Sequence, residues 1–102
     1  MLCLALGAQA QLDSRLVGDW VSSSGASIEI DYPNEDNTEV VTLSINGGSP
    51  IRATLEGADM DSIIMRYRTH NGSMMEGYYD PQSKEISIYE KDKQYSTWTR
   101  RR

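Results

Sequence analysis

Cysteine and histidine are scarce in this chain, and their scarcity excludes several kinds of site. The single cysteine is Cys3 and the single histidine is His70. Disulfide cross-links and thiolate or imidazole metal centres each need several such side chains, so we expect neither disulfides nor metal. No glycine-rich loop opens a helix that could hold a phosphate group. The sequence therefore predicts no metal site and no cofactor.

A set of residues suited to catalysis is also missing. General acid–base and nucleophilic catalysis need converging groups whose pKa values are set by burial or by neighbours. His70 stands beside Asn71-Gly72 in a predicted turn, where a lone histidine is most often solvated. No serine lies in a Gly-x-Ser-x-Gly sequence. We therefore expect a protein that is not an enzyme.

Basic residues are outnumbered, which argues against a nucleic acid partner. The chain has 15 acidic and 10 basic residues, a net charge of −5, and three of the bases are the terminal Arg100, Arg101 and Arg102. A protein with this net negative charge repels the phosphate groups of a nucleic acid. The sequence therefore predicts no nucleic acid binding.

Long apolar runs are absent, and the one short apolar segment lies at the N-terminus. A membrane-spanning helix needs about 20 apolar residues, so no transmembrane segment is expected. Residues 1–10 are uncharged and end in Ala8-Gln9-Ala10, the small-x-small pattern that signal peptidase requires. We interpret residues 1–10 as the remnant of a signal peptide and 11–102 as one secreted or periplasmic domain. An upstream start codon would leave room for attachment to the cell surface.

Short runs with alternating apolar and polar residues fill the rest of the chain. Such period-2 alternation is typical of strands that bury one face. In the segment 73–79 either alternate set of side chains, Met74 and Tyr78 or Met75 and Tyr79, could form the inner face. The residues that share one face of each run are Ile28/Ile30/Tyr32, Val41/Leu43/Ile45, Ile51/Ala53/Leu55, Ile63/Met65/Tyr67 and Ile86/Ile88. In the last run Trp98 shares a face with Ser96, opposite Tyr95 and Thr97.

Turn signals separate these runs at nearly regular intervals. Asn-Gly pairs, as at Asn46-Gly47 and Asn71-Gly72, are strong hairpin signals because both central residues of the turn need positive φ. Seven short connections join eight strands, which predicts an all-β, eight-stranded antiparallel up-and-down meander. Closing the meander into a barrel, with the first strand against the last, would hide both sheet edges. A partly open sheet is the alternative.

Both ends of the predicted barrel carry a recognisable pattern. Gly18-Asp19-Trp20 in the first strand resembles the Gly-x-Trp signature of the lipocalin-like proteins of the calycin superfamily. Arg100, near the end of the last strand, resembles the basic residue that packs over that tryptophan in the superfamily. The resemblance implies a small bacterial secreted lipocalin-like domain, with Gly18, Trp20 and Arg100 as its structural signature. The chain lacks the long strands, lid loop and C-terminal helix of longer lipocalins.

The aromatic composition suggests what such a barrel would do. The chain has six tyrosines and two tryptophans but no phenylalanine, and each tyrosine hydroxyl needs a partner or water. We expect a small apolar ligand at the barrel mouth; the alternative is an unknown protein partner that meets the loops, the N-terminal segment 11–15 or the outer barrel face. The predicted ligand-binding residues are Tyr32, Tyr67, Met74, Tyr78 and Tyr79.

Overall fold

Eight antiparallel strands form a closed barrel in the computed structural model, which describes residues 15–32, 39–57 and 63–101. The predicted signal peptide and residues 11–14 of the N-terminal segment lie outside these residues. Arg15 and Leu16 have helical backbone conformation just before the first strand. The strands are β1 (Gly18–Ser22), β2 (Ser27–Asp31), β3 (Val40–Ile45), β4 (Ile51–Glu56), β5 (Ile63–Arg68), β6 (Met74–Asp80), β7 (Glu85–Glu90) and β8 (Lys93–Arg100).

Each strand pairs with its neighbours in sequence, and β8 pairs with β1 to close the barrel. Trp20 lies opposite Arg100, and Ser22 lies opposite Trp98. The up-and-down meander predicted from the sequence is confirmed, and the sheet is closed rather than partly open. Closure satisfies the backbone groups that two free edges would otherwise expose.

The apolar sets predicted from the alternation face the barrel interior. In β4, for example, Ile51, Ala53 and Leu55 are buried, whereas the residues between them are exposed. The middle of the barrel is filled by side chains, as expected for eight strands. Its fully buried members include Val41, Leu43, Ala53, Met65 and Ile88.

Strand β6, whose inner face the sequence left open, buries Met75, Gly77 and Tyr79. Gly77 allows the barrel wall to come close to the core. A Cβ at this position would lie 3.0 Å from Ile88 Cδ1 and 3.1 Å from Met65 Cε. Packing inside the barrel thus decides which face of β6 points inward, because only the set of side chains that contains glycine fits there.

In a meander, alternate hairpin loops lie at the same end of the barrel. The loops β1–β2, β3–β4, β5–β6 and β7–β8 therefore share one end, which we call the mouth. The start of β1 and the end of β8 lie at the opposite end, which we call the Trp20 end. No helix in the described part of the chain has the length and apolar character needed to cross a membrane.

Candidate functional site

The Trp20 end is built from contacts between the two ends of the chain. The Trp20 side chain is fully buried, and its Nε1 donates a hydrogen bond of 2.8 Å to the Leu16 carbonyl oxygen. The guanidinium carbon of Arg100 lies 4.3 Å from the centroid of the Trp20 ring, which is within the range of a cation–π contact. Arg100 also donates hydrogen bonds to the carbonyl oxygens of Val17 (2.6 Å) and Arg15 (3.0 Å).

Gly18 makes room for that guanidinium. Its φ is +131°, and a Cβ placed on it would lie 2.5 Å from Nη1 of Arg100. Any other residue would therefore strain the backbone and displace Arg100. The Gly-x-Trp sequence and Arg100 form one packing unit, in which the Trp20 N–H and the Arg100 guanidinium already have partners.

The mouth is different, because it holds a cavity of about 640 Å³ that opens to solvent. Small-molecule sites in proteins typically measure about 300–1,000 Å³ and combine an apolar lining with a few polar groups. The apolar part of the lining is Ala26, Ile28, Ile45, Tyr67, Met75, Tyr95 and Trp98. The polar part is Ser22, Ser24, Asn46, Thr69, His70, Asn71, Ser73, Glu90 and Ser96.

Tyr67 and Trp98 form the aromatic floor of the mouth. Their ring centroids are 6.1 Å apart, with 36° between the ring planes. Only 4% of the Tyr67 surface is exposed, and no hydrogen bond within the described residues uses its hydroxyl. Burial raises the pKa of Tyr67, with a further contribution from Tyr95, so the hydroxyl keeps its proton.

Local hydrogen bonds hold the rim in place before any ligand arrives. Ser22 Oγ accepts hydrogen bonds from the backbone N–H of Ala26 (3.0 Å) and Ser24 (3.2 Å). Asn46 Oδ1 accepts one from the backbone N–H of Ser27 (3.0 Å), which ties the β3–β4 loop to β2. The rim is thus largely preorganised, which reduces the entropy lost on binding.

A β-bulge brings Tyr95 to the mouth. The register between β7 and β8 shifts at Ile88/Tyr89: Ile88 pairs with Ser96, but Tyr89 pairs with Gln94. Tyr95 is therefore the extra residue of β8, and a bulge of this kind re-aims a side chain. Alternation places Tyr95 on the face opposite Trp98; in the structure Tyr95 borders the mouth while 67% of its surface stays exposed.

Of the five predicted ligand-binding residues, only Tyr67 lines the mouth. Tyr79 is buried in the core, and Tyr32 is half-buried against it. Met74 and Tyr78 are exposed on the outer face of β6, so the structure does not bring the five together. Met75, Glu90, Tyr95 and Trp98 also line the mouth and were not among the predicted ligand-binding residues. The shared face of Trp98 and Ser96 in the last strand was a signal that could have pointed to it.

The outer face carries a smaller groove of about 500 Å³. It is bordered by Tyr78 and Tyr89, whose rings meet edge to face at 5.6 Å. Arg66 lies beside it in a double ion pair, 2.8 Å from Glu76 and 2.6 Å from Glu56. The hydrogen bonds from Arg66 and Tyr78 lower the pKa of Glu76.

Metal chemistry has no support in the described residues. Within 15–32, 39–57 and 63–101, no three His, Cys, Asp or Glu side chains gather in a group that could hold a metal ion. His70 is exposed, and its Nε2 lies 3.3 Å from the Ser49 carbonyl oxygen. This contact joins two loops of the mouth.

Comparison with known proteins gives no further information on the class of protein. No family model, no curated protein and no solved structure matches the chain. The fold and the site therefore define it as a small, closed, antiparallel eight-stranded barrel with one filled end and one open mouth.

Proposed function

We propose that this protein is a non-enzymatic, lipocalin-like binding domain that takes a small ligand with an apolar body into the mouth of the barrel. The observation that carries the proposal is the cavity of about 640 Å³ above an aromatic floor. Because the middle of the barrel is filled, a ligand would enter only as far as Tyr67, Met75 and Trp98. The Gly18–Trp20–Arg100 unit supports the lipocalin-like assignment.

Two neighbouring methionines of β6 allow a matched test. Met75 is 3% exposed at the mouth, whereas Met74 is 48% exposed on the outer face. We expect Met75→Gln to weaken binding of a neutral apolar fluorophore such as N-phenyl-1-naphthylamine, because it places an amide in the apolar floor. Met74→Gln should leave the affinity unchanged. Circular dichroism would verify that both variants are folded.

Nuclear magnetic resonance of the wild-type protein tests independently whether the fluorophore binds at the mouth. The ε-methyl signal of Met75 should shift on addition of the fluorophore, and that of Met74 should stay in place. A shift of Met74 alone would place the ligand outside the barrel, and no shift of either methyl would refute binding at the mouth.

The outer groove supports a second candidate, a site for a protein partner. Tyr78 is 40% exposed and stacks edge to face with Tyr89, an arrangement that offers apolar area with polar hydroxyls. Native mass spectrometry of the protein isolated from its own host would separate the candidates. A co-purifying small molecule favours the mouth, and a co-purifying protein lost in Tyr78→Ala favours the groove.

Export of the domain is part of the proposal. It is supported by the apolar residues 1–10 and by the Ala8-Gln9-Ala10 sequence. N-terminal sequencing of the secreted or periplasmic protein should find Gln11 as the first residue. A cytoplasmic protein that retains residues 1–10 would refute it.

A further inference from the structure

We infer that the mouth prefers a small organic cation, an ammonium group carried on an aromatic or apolar body; this inference rests on the proposed function. Three features of the mouth carry it: one carboxylate without an ion pair, one tyrosine hydroxyl that borders the cavity and a set of aromatic rings.

Glu90 supplies the charge. Among the described residues that line the mouth cavity, it is the only one besides His70 with an acidic or basic side chain. Lys93 of β8, which lies opposite Glu90 in the register, does not line the cavity. Glu90 is half-buried and makes no ion pair or hydrogen bond with any described residue. A carboxylate left without a partner beside apolar surface attracts a cation and disfavours a second anion, because like charges repel strongly where water is partly excluded.

The register places Glu90 and Tyr67 on either side of Met75, and both line the mouth. Met75 of β6 lies opposite Tyr67 on one side and opposite Glu90 on the other. The inward-pointing residues of three adjacent strands therefore stand side by side, with about 5 Å between neighbours. A ligand seated above Met75 can meet the Glu90 carboxylate and the Tyr67 oxygen together. An ammonium N–H can donate to both of these oxygens.

Aromatic rings complete the setting. Tyr67, Tyr95 and Trp98 all line the mouth, and the negative face of an aromatic ring attracts a cation within about 6 Å of its centroid. At the Trp20 end the protein already uses this contact internally, with Arg100 over Trp20. At the mouth the rings have no cation of their own within the described residues. The net charge of −5 adds a field that draws cations toward the protein.

Three probes of similar size and different charge test the inference. They are 2-phenylethylammonium, the neutral 2-phenylethanol and the anion 3-phenylpropanoate, titrated at neutral pH and fixed salt while the Met75 methyl signal is followed. We expect the ammonium to bind roughly tenfold more tightly than the alcohol, which is the size of one desolvated cation–π or charge contact. The anion should bind most weakly.

Two charge-matched variants show whether Glu90 is responsible. Glu90→Gln should bring the ammonium affinity down to that of the alcohol and leave the alcohol affinity unchanged. Glu85→Gln removes the same charge from the other end of the same strand, and it should preserve the preference. If both variants lose the same ammonium affinity, the net charge of the protein and not Glu90 selects the cation. That result would overturn the inference.

The neutral probe separates failure of the inference from failure of the proposed function. If the alcohol binds at Met75 as tightly as the ammonium, or if the anion binds most tightly, the charge preference is wrong and the mouth is still a binding site. If none of the three probes shifts the Met75 methyl signal, the proposed function fails together with the inference.

Discussion

At the scale of single residues, the contact between Gly18 and Arg100 explains why the first strand begins with glycine. The cost of a side chain at position 18 has two parts, a backbone held at φ +131° and a guanidinium 2.5 Å from the added Cβ. We expect Gly18→Ala to lower the free energy of unfolding by about 2–4 kcal/mol. Backbone strain contributes about 1–3 kcal/mol, and a hydrogen bond lost from Arg100 contributes about 1 kcal/mol. Chemical denaturation measures the change.

Gly25 provides the control for this prediction. It also has a positive φ, +94°, but a Cβ on it would meet nothing within 4 Å. Gly25→Ala should therefore lower the free energy of unfolding less than Gly18→Ala does. In an Arg100→Met background the extra cost at position 18 should largely disappear, because the clash no longer exists. If the effects of Gly18→Ala and Arg100→Met on the free energy of unfolding simply add, Arg100 does not contribute to the cost of a side chain at position 18.

At the scale of strands, an ion-pair ladder runs across the outer faces of β4, β5 and β6. Arg66 of β5 lies directly opposite Glu76 of β6 and reaches Glu56 of β4. The native-state pKa of Glu76 is lowered from its ordinary value of 4.5, first by the hydrogen bond from Arg66 and then by that from Tyr78. A carboxyl whose pKa is lower in the native state stabilises the fold above its unfolded pKa. That stabilisation is lost as the pH falls through the native pKa.

We therefore expect the stability difference between the wild type and Glu76→Gln to be constant above about pH 5 and to shrink below pH 4.5. The difference should be small and should decrease with added salt, because the pair is exposed to solvent. Glu29→Gln is the matched control, since Glu29 also lies on the outer face but has no ion pair with a described residue. Urea denaturation of the wild type and both variants between pH 3 and 7 would measure these stability differences. A difference that persists unchanged at pH 3 would contradict this account.

The strands were predictable from the sequence to different degrees. In β2 and β4, apolar and polar residues alternate without exception, so the buried face followed directly; in β5 only Ile64 departs from the alternation. In β6 both alternate sets contain a methionine and a tyrosine, and only the space at Gly77 separates them. The bulge at Tyr95 has no signal in the alternation, because it depends on the register between β7 and β8. For that reason the sequence did not place Tyr95 at the mouth.

At the scale of the whole molecule, the barrel has two unlike ends. At the Trp20 end, Leu16, Trp20 and Arg100 satisfy one another. At the mouth, the Tyr67 hydroxyl and the Glu90 carboxylate have no partner among the described residues. Polar groups that border an open cavity and have no partner within the protein can bond to a ligand there. We therefore expect substitutions at the two ends to affect different properties.

Trp20→Ala should lower the free energy of unfolding by about 3–5 kcal/mol, because it removes a fully buried ring and leaves a cavity. For a domain whose total stability is about 5–15 kcal/mol, this change removes a large part of the free energy of unfolding. The affinity of the folded fraction for a mouth ligand should nevertheless stay the same, since Trp20 does not line that cavity. Trp20→Phe keeps most of the buried apolar surface and loses the hydrogen bond to Leu16. Its free energy of unfolding should therefore lie between those of the wild type and Trp20→Ala. Thermal unfolding and Met75 methyl titrations on the same samples would measure both properties. Loss of binding in Trp20→Phe with unchanged stability would mean that the Trp20 end, not the mouth, holds the ligand.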